Sequence, residues 1–313
     1  MTKQELPEGR RTPRGAHRMA AVALFAVALV ASSCVTPPGS SGLPVVYSMT
    51  AGLTRTAAPD VAPPGANQWS CRPSAAHPRP VVLVHGTFMN QHNTWFTLSP
   101  LLKNNGYCVF SFNYGGPPVL GIAYGIGRVQ DSAAQLATFV DRVLEETGAA
   151  EVDLVGHSQG GMMPHVYLQQ GGAEKVGTLV GLAPSNDGTT LFGLATIAAL
   201  VGLDDVAGLV CASCEQQVHG SEFLTQLRDG GLVQPGVRYT VISTQFDEIV
   251  TPWQSAFLPS GPTVTNFRLQ DVCPVDFSGH IGLAYSPNAL RLVLNALDPA
   301  HASSSCRLVP IVN

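Results

Sequence analysis

Short apolar runs of strand length alternate with amphipathic helical segments along most of this chain. Residues 81–84 read Val-Val-Leu-Val, and residues 151–155 and 176–183 are also predicted to be strands. Continuous apolar runs are typical of strands that are buried on both faces. Further strands are predicted over 108–113, 239–244 and 264–269, and helices over 94–105, 131–147, 159–170 and 287–297. This alternation predicts an α/β fold in which a mostly parallel, doubly wound sheet carries helices on both faces.

The composition excludes two broad classes of protein. Charged residues make up 12% of the chain and lysine occurs only at three positions, whereas soluble domains average about 25% charged residues. A nucleic-acid-binding protein needs a dense cationic surface, and a disordered chain needs high charge with few apolar groups. The chain is therefore expected to be globular, and it is not expected to bind nucleic acid.

The N-terminus has the pattern of an export signal. Residues 1–18 carry a net charge of +3, residues 19–31 are mostly apolar, and Ser32-Ser33-Cys34 follows. A basic segment, a short apolar segment and small residues at a cleavage site define a signal peptide, here predicted over 1–33. The apolar segment is shorter than the ~20 residues that span a membrane. We therefore expect an exported protein, extracellular or attached to the cell surface.

Cleavage before Cys34 leaves two alternatives open. The segment Ala-Ser-Ser-Cys resembles a bacterial lipobox, in which the cysteine is lipidated and anchors the chain; in the other alternative Cys34 is a spare thiol. The chain has seven cysteines, and an odd number in an exported protein leaves one to explain. Residues 34–66 are rich in Pro, Gly and Ser and are predicted to be a linker. The catalytic domain is predicted over 67–313.

The other six cysteines can form three disulfide bonds. Six cysteines allow 15 pairings, which a sequence alone cannot distinguish. Their order suggests the pairs Cys71–Cys108, Cys211–Cys214 and Cys273–Cys306 as a hypothesis. The Cys-x-x-Cys at 211–214 lacks the second Cys or His pair of a zinc site, so a structural disulfide is expected there.

One pentapeptide indicates nucleophilic chemistry. The sequence Gly156-His-Ser-Gln-Gly160 follows a predicted strand and opens a predicted helix. That context defines a nucleophile elbow, in which Ser158 lies on a strained turn and Gly156 and Gly160 avoid steric clashes. The alternative is a structural serine in a glycine-rich turn.

A serine nucleophile needs a base and an acid that orients the base, in the order Ser, Asp or Glu, His. Among the later histidines, His280 lies between the last predicted strand and the last predicted helix. We therefore expect His280 to be the base. His219 falls inside the predicted cap loop, and His301 is expected at the surface. His157, next to the serine, is expected to pack or to orient.

The acid is expected after another strand. Asp247 and Glu248 follow the strand at 239–244, and Asp247 is favoured because one of two adjacent acids usually points to solvent. Asp187 is the rival, although Asp187-Gly188 also fits a plain turn.

Acyl transfer also requires donors for an oxyanion. The backbone N–H of the residue after the nucleophile, Gln159, is one expected donor. The other is expected from the loop after the first core strand, where Gly86 permits close approach and Thr87 supplies the N–H group.

Residues 187–237 are predicted to form an inserted cap. This connection is too long to lack a role, and its apolar part, 191–210, could cover an acyl groove. Met162 and Met163 could flank that groove, since methionine adapts to irregular apolar shapes; alternatively both belong to the core. The glycines of 121–127 lack the context of a dinucleotide site, so we expect no cofactor. Calcium is the metal considered, but no EF-hand pattern or acidic cluster suggests it, so we expect no metal.

These segments resemble the bacterial class 2 lipase family of α/β-hydrolases from about residue 75 to the C-terminus. The similar segments are Val81-Val-Leu-Val-His-Gly-Thr87, Phe112-Asn-Tyr-Gly115, Gly156-His-Ser-Gln-Gly-Gly161, Asp247-Glu-Ile-Val and His280-Ile-Gly-Leu. The resemblance implies an α/β-hydrolase fold and a secreted carboxylic ester hydrolase acting on acylglycerols or similar lipid esters. It also implies Ser158, Asp247 and His280 as the catalytic triad.

The reaction and the processing of the N-terminus stay open at this point. An acyltransferase using the same acyl-serine and a lipid-binding protein without activity are the alternatives to a hydrolase. A monomer is expected. A membrane contact through a lipidated Cys34 depends on how the N-terminus is processed.

Overall fold

The computed structural model describes residues 42–190, 193, 195–196 and 211–311. The predicted signal peptide, Cys34 and most of the predicted apolar cover at 191–210 lie outside these residues. In the part of the chain that is described, no helix is both long and apolar enough to cross a bilayer.

A six-stranded sheet organises the molecule. Its strands are Val81–Val84 (β1), Val109–Ser111 (β2), Val152–His157 (β3), Val176–Leu182 (β4), Arg238–Ser243 (β5) and Val264–Arg268 (β6). The strand order is β2-β1-β3-β4-β5-β6 and every neighbouring pair is parallel. The chain winds outward from β1 to β2 and then in the opposite direction from β3, so the direction reverses between β1 and β3. The predicted doubly wound parallel sheet is confirmed.

The helices cover both faces of this sheet. They are Met49–Leu53 (α1), Gln91–Thr94 (α2), Leu98–Asn104 (α3), Val129–Thr147 (α4), Gln159–Met162 (α5), Pro164–Gln169 (α6), Ala212–Gln216 (α7), Glu222–Asp229 (α8), Leu269–Val272 (α9) and Pro287–Leu297 (α10). Alternate residues of β1 belong to different cores. Val82 and Val84 pack in one hydrophobic cluster with α4, and Val81 and Leu83 in another with α10. The continuous apolar run of β1 is therefore buried on both sides.

Two predicted helices are each divided in the structure. The helix expected over 94–105 begins earlier as α2, is interrupted at 95–97 and continues as α3. The helix expected over 159–170 is divided into α5 and α6 where Pro164 occupies the first position of α6. Proline has no backbone N–H group to donate to the preceding turn, which explains a boundary at this residue.

The predicted linker differs from the structure over residues 42–66. Asn104 binds both polar backbone atoms of Leu43, at 2.7 and 2.8 Å. In α1, Gly52 lies so close to Tyr285 that a Cβ atom there would be 2.1 Å from the ring. The Pro- and Ser-rich composition suggested a free segment, but polar side chains and rings of the domain bind its backbone. Residues 42–66 are thus a packed part of the domain.

Three disulfide bonds connect neighbouring parts of the chain. They join Cys71 to Cys108, Cys211 to Cys214 and Cys273 to Cys306. These are the pairs suggested by their order along the chain. The second pair encloses the start of α7, in the described part of the predicted cap.

Candidate active site

Ser158 lies on the sharp turn between β3 and α5. Its backbone has φ 56° and ψ −125°, in the left-handed half of conformational space, which costs a residue other than glycine about 1–3 kcal/mol. The N–H group of Ser158 donates to the carbonyl oxygen of Leu182 at 2.9 Å, and its own carbonyl accepts from the N–H group of Gly161 at 2.9 Å. These bonds to β4 and α5 hold the strained turn in place.

Two glycines allow this turn to pack against the sheet. A Cβ atom at Gly156 would lie 1.9 Å from the carbonyl oxygen of Gly160, and one at Gly160 would lie 2.1 Å from the carbonyl oxygen of Val84. Both obstacles are backbone atoms and cannot rotate away. The turn has the steric form that the sequence predicted for a nucleophile elbow.

His280 and Asp247 form a buried pair at the same edge of the sheet. The Nδ1 atom of His280 lies 3.0 and 3.1 Å from the two carboxylate oxygens of Asp247, and both side chains are 0% exposed. One of these oxygens also accepts the N–H groups of Ile249 and Val250, at 3.0 and 2.7 Å. Hydrogen bonds of this kind stabilise a buried carboxylate. The paired carboxylate can in turn stabilise a charged imidazole.

The other ring nitrogen of His280 is available for proton transfer. Its Nε2 atom is buried and has no hydrogen-bond partner among the residues that the structure describes. Because Nδ1 donates its proton to Asp247, Nε2 carries the free lone pair of a neutral ring. That lone pair is what a general base offers to a serine hydroxyl.

The alternative acids and bases lie at the surface. Asp187 pairs with Arg228 at 2.8 Å and with His219 at 3.5 Å, and the side chains of Asp187 and His219 are 41% and 65% exposed. His301 pairs with Asp298 at 2.8 Å and is 84% exposed. The structure therefore brings Asp247, and not Asp187, to His280.

Glu248 is placed differently from the expectation that it points only to solvent. The residue is exposed, but its Oε2 atom accepts a hydrogen bond of 3.0 Å from the backbone N–H group of His280. Both adjacent acids thus contact the same histidine, one at the ring and one at the backbone. The sequence pattern carried no signal for the second contact.

Thr87 and Gln159 border the same edge. Gln159 is the first residue of α5, where the N–H groups of a helix have no acceptor within the helix. Thr87 is buried, and the next residue, Phe88, has a left-handed φ of 59°. A Cβ atom at Gly125 would lie 3.2 Å from Cα of Thr87 and 2.9 Å from the carbonyl oxygen of Gly86. The loop after β1 is therefore tightly enclosed, as a rigid donor site requires.

A buried polar network holds Thr87 from the cap side. The Nε2 atom of Gln217 donates to the hydroxyl oxygen of Thr87 at 2.9 Å, and its Oε1 atom accepts from the hydroxyl of Ser185 at 2.9 Å. The hydroxyl of Ser213 donates to the carbonyl oxygen of Gly125 at 2.7 Å. Sequence reasoning missed Gln217, because its only signal is a position three residues after a Cys-x-x-Cys in an irregular segment.

Two further buried histidines flank the elbow. Burial, and to a smaller extent the neighbouring His280 ring, lower the pKa of His157 to about 3. Burial also lowers the pKa of His85 to about 4. Both rings are therefore neutral near pH 7, and each donates a proton to a backbone carbonyl: His157 to that of His280 at 3.0 Å and His85 to that of Gly86 at 2.8 Å. Among these three histidines, the described contacts pair only His280 with a carboxylate.

The described ends of the predicted cap contact the loops of the site. Thr189 donates its hydroxyl proton to the carbonyl oxygen of Ile249, close to Asp247, and Gln217 binds Thr87. Met162 and Met163 are both 0% exposed and belong to the core cluster on the α4 face. They do not line an open groove. The prediction that they flank an acyl groove is therefore corrected, and both belong to the core.

Over the described residues, no group of three or more His, Cys, Asp or Glu side chains is arranged to hold a metal ion.

Comparison with known sequences relates this arrangement to one family. The family described as Lipase (class 2) matches residues 78–282. A triacylglycerol lipase of Burkholderia plantarii is 36% identical over 117 residues, which are 36% of this chain and 29% of that protein. One of Pseudarthrobacter phenanthrenivorans is 37% identical over 93 residues, 28% of this chain and 27% of that protein. The similar segment spans less than a third of either relative.

Solved structures share the fold. Lipase B of Aspergillus fumigatus has a TM-score of 0.58 at 23% identity, over 78% of this chain and 57% of that one. The mature form of a Bacillus licheniformis lipase has a TM-score of 0.51 at 18% identity, over 74% of this chain and 95% of that one. Since the family match over 78–282 contains the elbow and the buried His280–Asp247 pair, this chain belongs to the class 2 lipase family of α/β-hydrolases.

Proposed function

We propose that this protein is a serine carboxylic ester hydrolase that cleaves acylglycerols or similar lipid esters. The observation that carries the proposal is the buried His280–Asp247 pair. Nε2 of His280 has no described hydrogen-bond partner, and the backbone of His280 is bound by His157, the residue before Ser158. The names of the two similar sequences, both triacylglycerol lipases, support the same class of substrate.

The mechanism follows from the roles that the contacts permit. The hydroxyl oxygen of Ser158 attacks the ester carbonyl while Nε2 of His280 takes the hydroxyl proton, and Asp247 stabilises the imidazolium that forms. The imidazolium then protonates the leaving alcohol, which leaves an acyl-serine. Water attacks this ester with His280 again as the base, and the carboxylic acid is released.

The tetrahedral intermediates carry a negative oxygen that needs preorganised donors. We assign the backbone N–H groups of Gln159 and Thr87 to this role, because one begins α5 and the other lies in the enclosed loop after β1. Each such donor typically contributes about 3 kcal/mol to stabilising the transition state.

An exported location fits the covalent structure. Three disulfide bonds are typical of oxidising compartments outside the cytosol. Residues 1–33 are proposed as the signal peptide, with Cys34 either lipidated or free. Mass spectrometry of the mature N-terminus distinguishes these two forms, since an acylated Cys34 adds the mass of its lipid and Cys34→Ser removes it.

Hydrolysis of p-nitrophenyl esters, from acetate to palmitate, tests the proposal. We expect the mature protein to release p-nitrophenol and Ser158→Ala to release almost none. An optimum at butyrate indicates an esterase, and an optimum at laurate or longer indicates a lipase. Adding glycerol and analysing the products separates hydrolysis from acyl transfer, which would yield acylglycerol instead of free acid.

A further inference from the structure

The backbone of His280 is held at both of its polar atoms by side chains from the end of β3 and from the loop after β5. Its N–H group donates to Oε2 of Glu248 at 3.0 Å, and its carbonyl oxygen accepts from Nε2 of His157 at 3.0 Å. Neither contact touches the reacting nitrogen. Together with the contact between Nδ1 and Asp247, they fix the base residue at three separate atoms.

We infer that His157 and Glu248 are positioning residues that hold the backbone of His280 so that its Nε2 atom faces Ser158. This inference rests on the proposed function, because it assigns a purpose to the position of the general base. A misplacement of about 1 Å at such a group can lower a rate by roughly 100-fold. Contacts that fix the backbone of His280, in addition to the one between its ring and Asp247, therefore favour a high rate.

His157 connects the base to the turn that carries the nucleophile. It immediately precedes Ser158 and is 1% exposed, so its ring moves only with the elbow. The carbonyl oxygen of His280 can only accept a hydrogen bond, so the contact requires that Nε2 of His157 carries the proton. The centroids of the His157 and His280 rings are 4.9 Å apart, so a second positive charge at His157 would oppose the imidazolium of His280. Burial lowers the pKa of His157 to about 3 and keeps that ring neutral.

Glu248 connects the base to the loop that carries the acid. Because Asp247 and Glu248 are adjacent, one short segment after β5 binds both the ring and the backbone of His280. The neighbouring Gly279 is shaped for this contact, since a Cβ atom there would lie 2.5 Å from Oε2 of Glu248. Gly279 is not in the left-handed region, so an added Cβ atom there would displace the Glu248 carboxylate without straining the backbone.

Paired variants at each position test the inference. Glu248→Ala removes the acceptor and Glu248→Gln keeps a carbonyl acceptor; His157→Phe keeps a ring without a donor and His157→Gln keeps a side-chain N–H group at similar reach. We expect Glu248→Ala and His157→Phe to lower kcat for p-nitrophenyl butyrate by about 10- to 100-fold with KM unchanged. The two Gln variants should recover most of kcat.

The hydrogen bond between His280 and Asp247 gives a second readout, which distinguishes positioning of the base from a general effect on stability. The NMR resonance of the proton between His280 Nδ1 and Asp247 should shift or broaden in Glu248→Ala and return in Glu248→Gln. Glu146→Ala, which removes an exposed glutamate of α4, should change neither this resonance nor kcat. If His157→Phe does not fold, Glu248→Ala still decides the question, because Glu248 is exposed and its loss leaves the core intact.

Two results would overturn the inference, and labelling of Ser158 by a p-nitrophenyl phosphonate separates them from each other. If the wild-type protein is labelled and active while folded Glu248→Ala and His157→Phe keep wild-type kcat and the NMR resonance, only the positioning role is wrong. If the wild-type protein neither hydrolyses the ester nor becomes labelled, the proposed function fails and this inference fails with it.

Discussion

The side-chain amide of Gln217 donates a hydrogen bond of 2.9 Å to the hydroxyl oxygen of Thr87. Both side chains are buried. Because the oxygen of Thr87 accepts this bond, its own proton is free to donate elsewhere. The contact therefore connects the cap segment to the loop that we propose as part of the oxyanion site.

Gln217→Leu should lower kcat/KM about tenfold, the effect of losing roughly 1.4 kcal/mol of transition-state stabilisation. It also leaves the hydroxyls of Thr87 and Ser185 without this partner, which should lower the free energy of unfolding by about 1–3 kcal/mol. Ester hydrolysis and urea denaturation measure the two effects. Gln226→Leu, on the exposed face of α8, is the matched control. Equal activity in both variants would contradict the role of Gln217.

Ser158→Ala should lower kcat by about 10⁴- to 10⁶-fold, as removal of a catalytic nucleophile does elsewhere. Its melting temperature should stay close to that of the wild type, because only one hydroxyl is lost. Phosphonate labelling should disappear at the same time. Ser260→Ala, at an exposed serine, serves as the control and should keep full activity. Substantial activity in Ser158→Ala would assign the nucleophile elsewhere.

Asp247→Asn should lower kcat by about 10⁴-fold, the size of effect that follows when a triad aspartate becomes an amide. The amide can no longer accept the Nδ1 proton with a negative charge, so the imidazolium loses its stabilisation. Asp187→Asn should change kcat little, because Asp187 binds Arg228 and His219 at the surface. Steady-state kinetics of the two variants compare the candidate acids directly. The reverse ranking would give the acid role to Asp187.

Gly156→Ala and Gly160→Ala should each prevent the elbow from packing against the sheet. The added Cβ would lie 1.9 Å or 2.1 Å from a backbone oxygen, and overpacking of this kind costs about 1–3 kcal/mol or more. Both variants should therefore show lower melting temperatures and little activity. Gly261→Ala is the control, since nothing lies within 4 Å of a Cβ at that position. Wild-type stability in Gly156→Ala would be incompatible with the turn described above.

Stability should decrease as the pH falls below about 6.5, the pKa of a histidine in an unfolded chain. Burial lowers the pKa of His157 to about 3 and that of His85 and His165 to about 4. Between these folded pKa values and about pH 6.5, the unfolded chain thus binds more protons than the folded protein. The contribution of these neutral histidines to the free energy of unfolding is therefore complete above about pH 6.5 and decreases as the pH falls toward the folded pKa values. Each such histidine contributes a slope of about 1.4 kcal/mol per pH unit.

Urea denaturation over this range measures the slope. His165→Phe offers a control outside the proposed triad, because the described contacts of His165 are with the carbonyl oxygen of Leu232 and the ring of Tyr239. In this variant, the free energy of unfolding should change with pH less steeply than in the wild type, by the contribution of one histidine. A free energy of unfolding that does not change between about pH 7 and about pH 5 would mean that these rings are protonated in the folded protein.

The positions of the strands along the chain and the elbow could be predicted from the sequence because both depend on neighbouring residues. The apolar run of β1 requires two cores, and Gly156 and Gly160 flank a serine between a strand and a helix. The helix boundary at Pro164 is equally local, but the amphipathic pattern across it concealed the division. Residues 42–66 were missed for the opposite reason, since their contacts are with distant side chains.

The rest of the candidate site depends on contacts between residues that are far apart in the chain. His157 and His280 are separated by 123 positions, and Thr87 and Gln217 by 130. Local patterns favoured Asp247 as the acid for His280, but they gave no position for Glu248. Only the packing of the loops after β1, β3, β5 and β6 at one edge of the sheet put Asp247 on the ring and Glu248 on the backbone. Residue type and local spacing determined which chemistry was available, and the tertiary structure decided which groups meet, because hydrogen bonds form only where folding has brought donor and acceptor within reach.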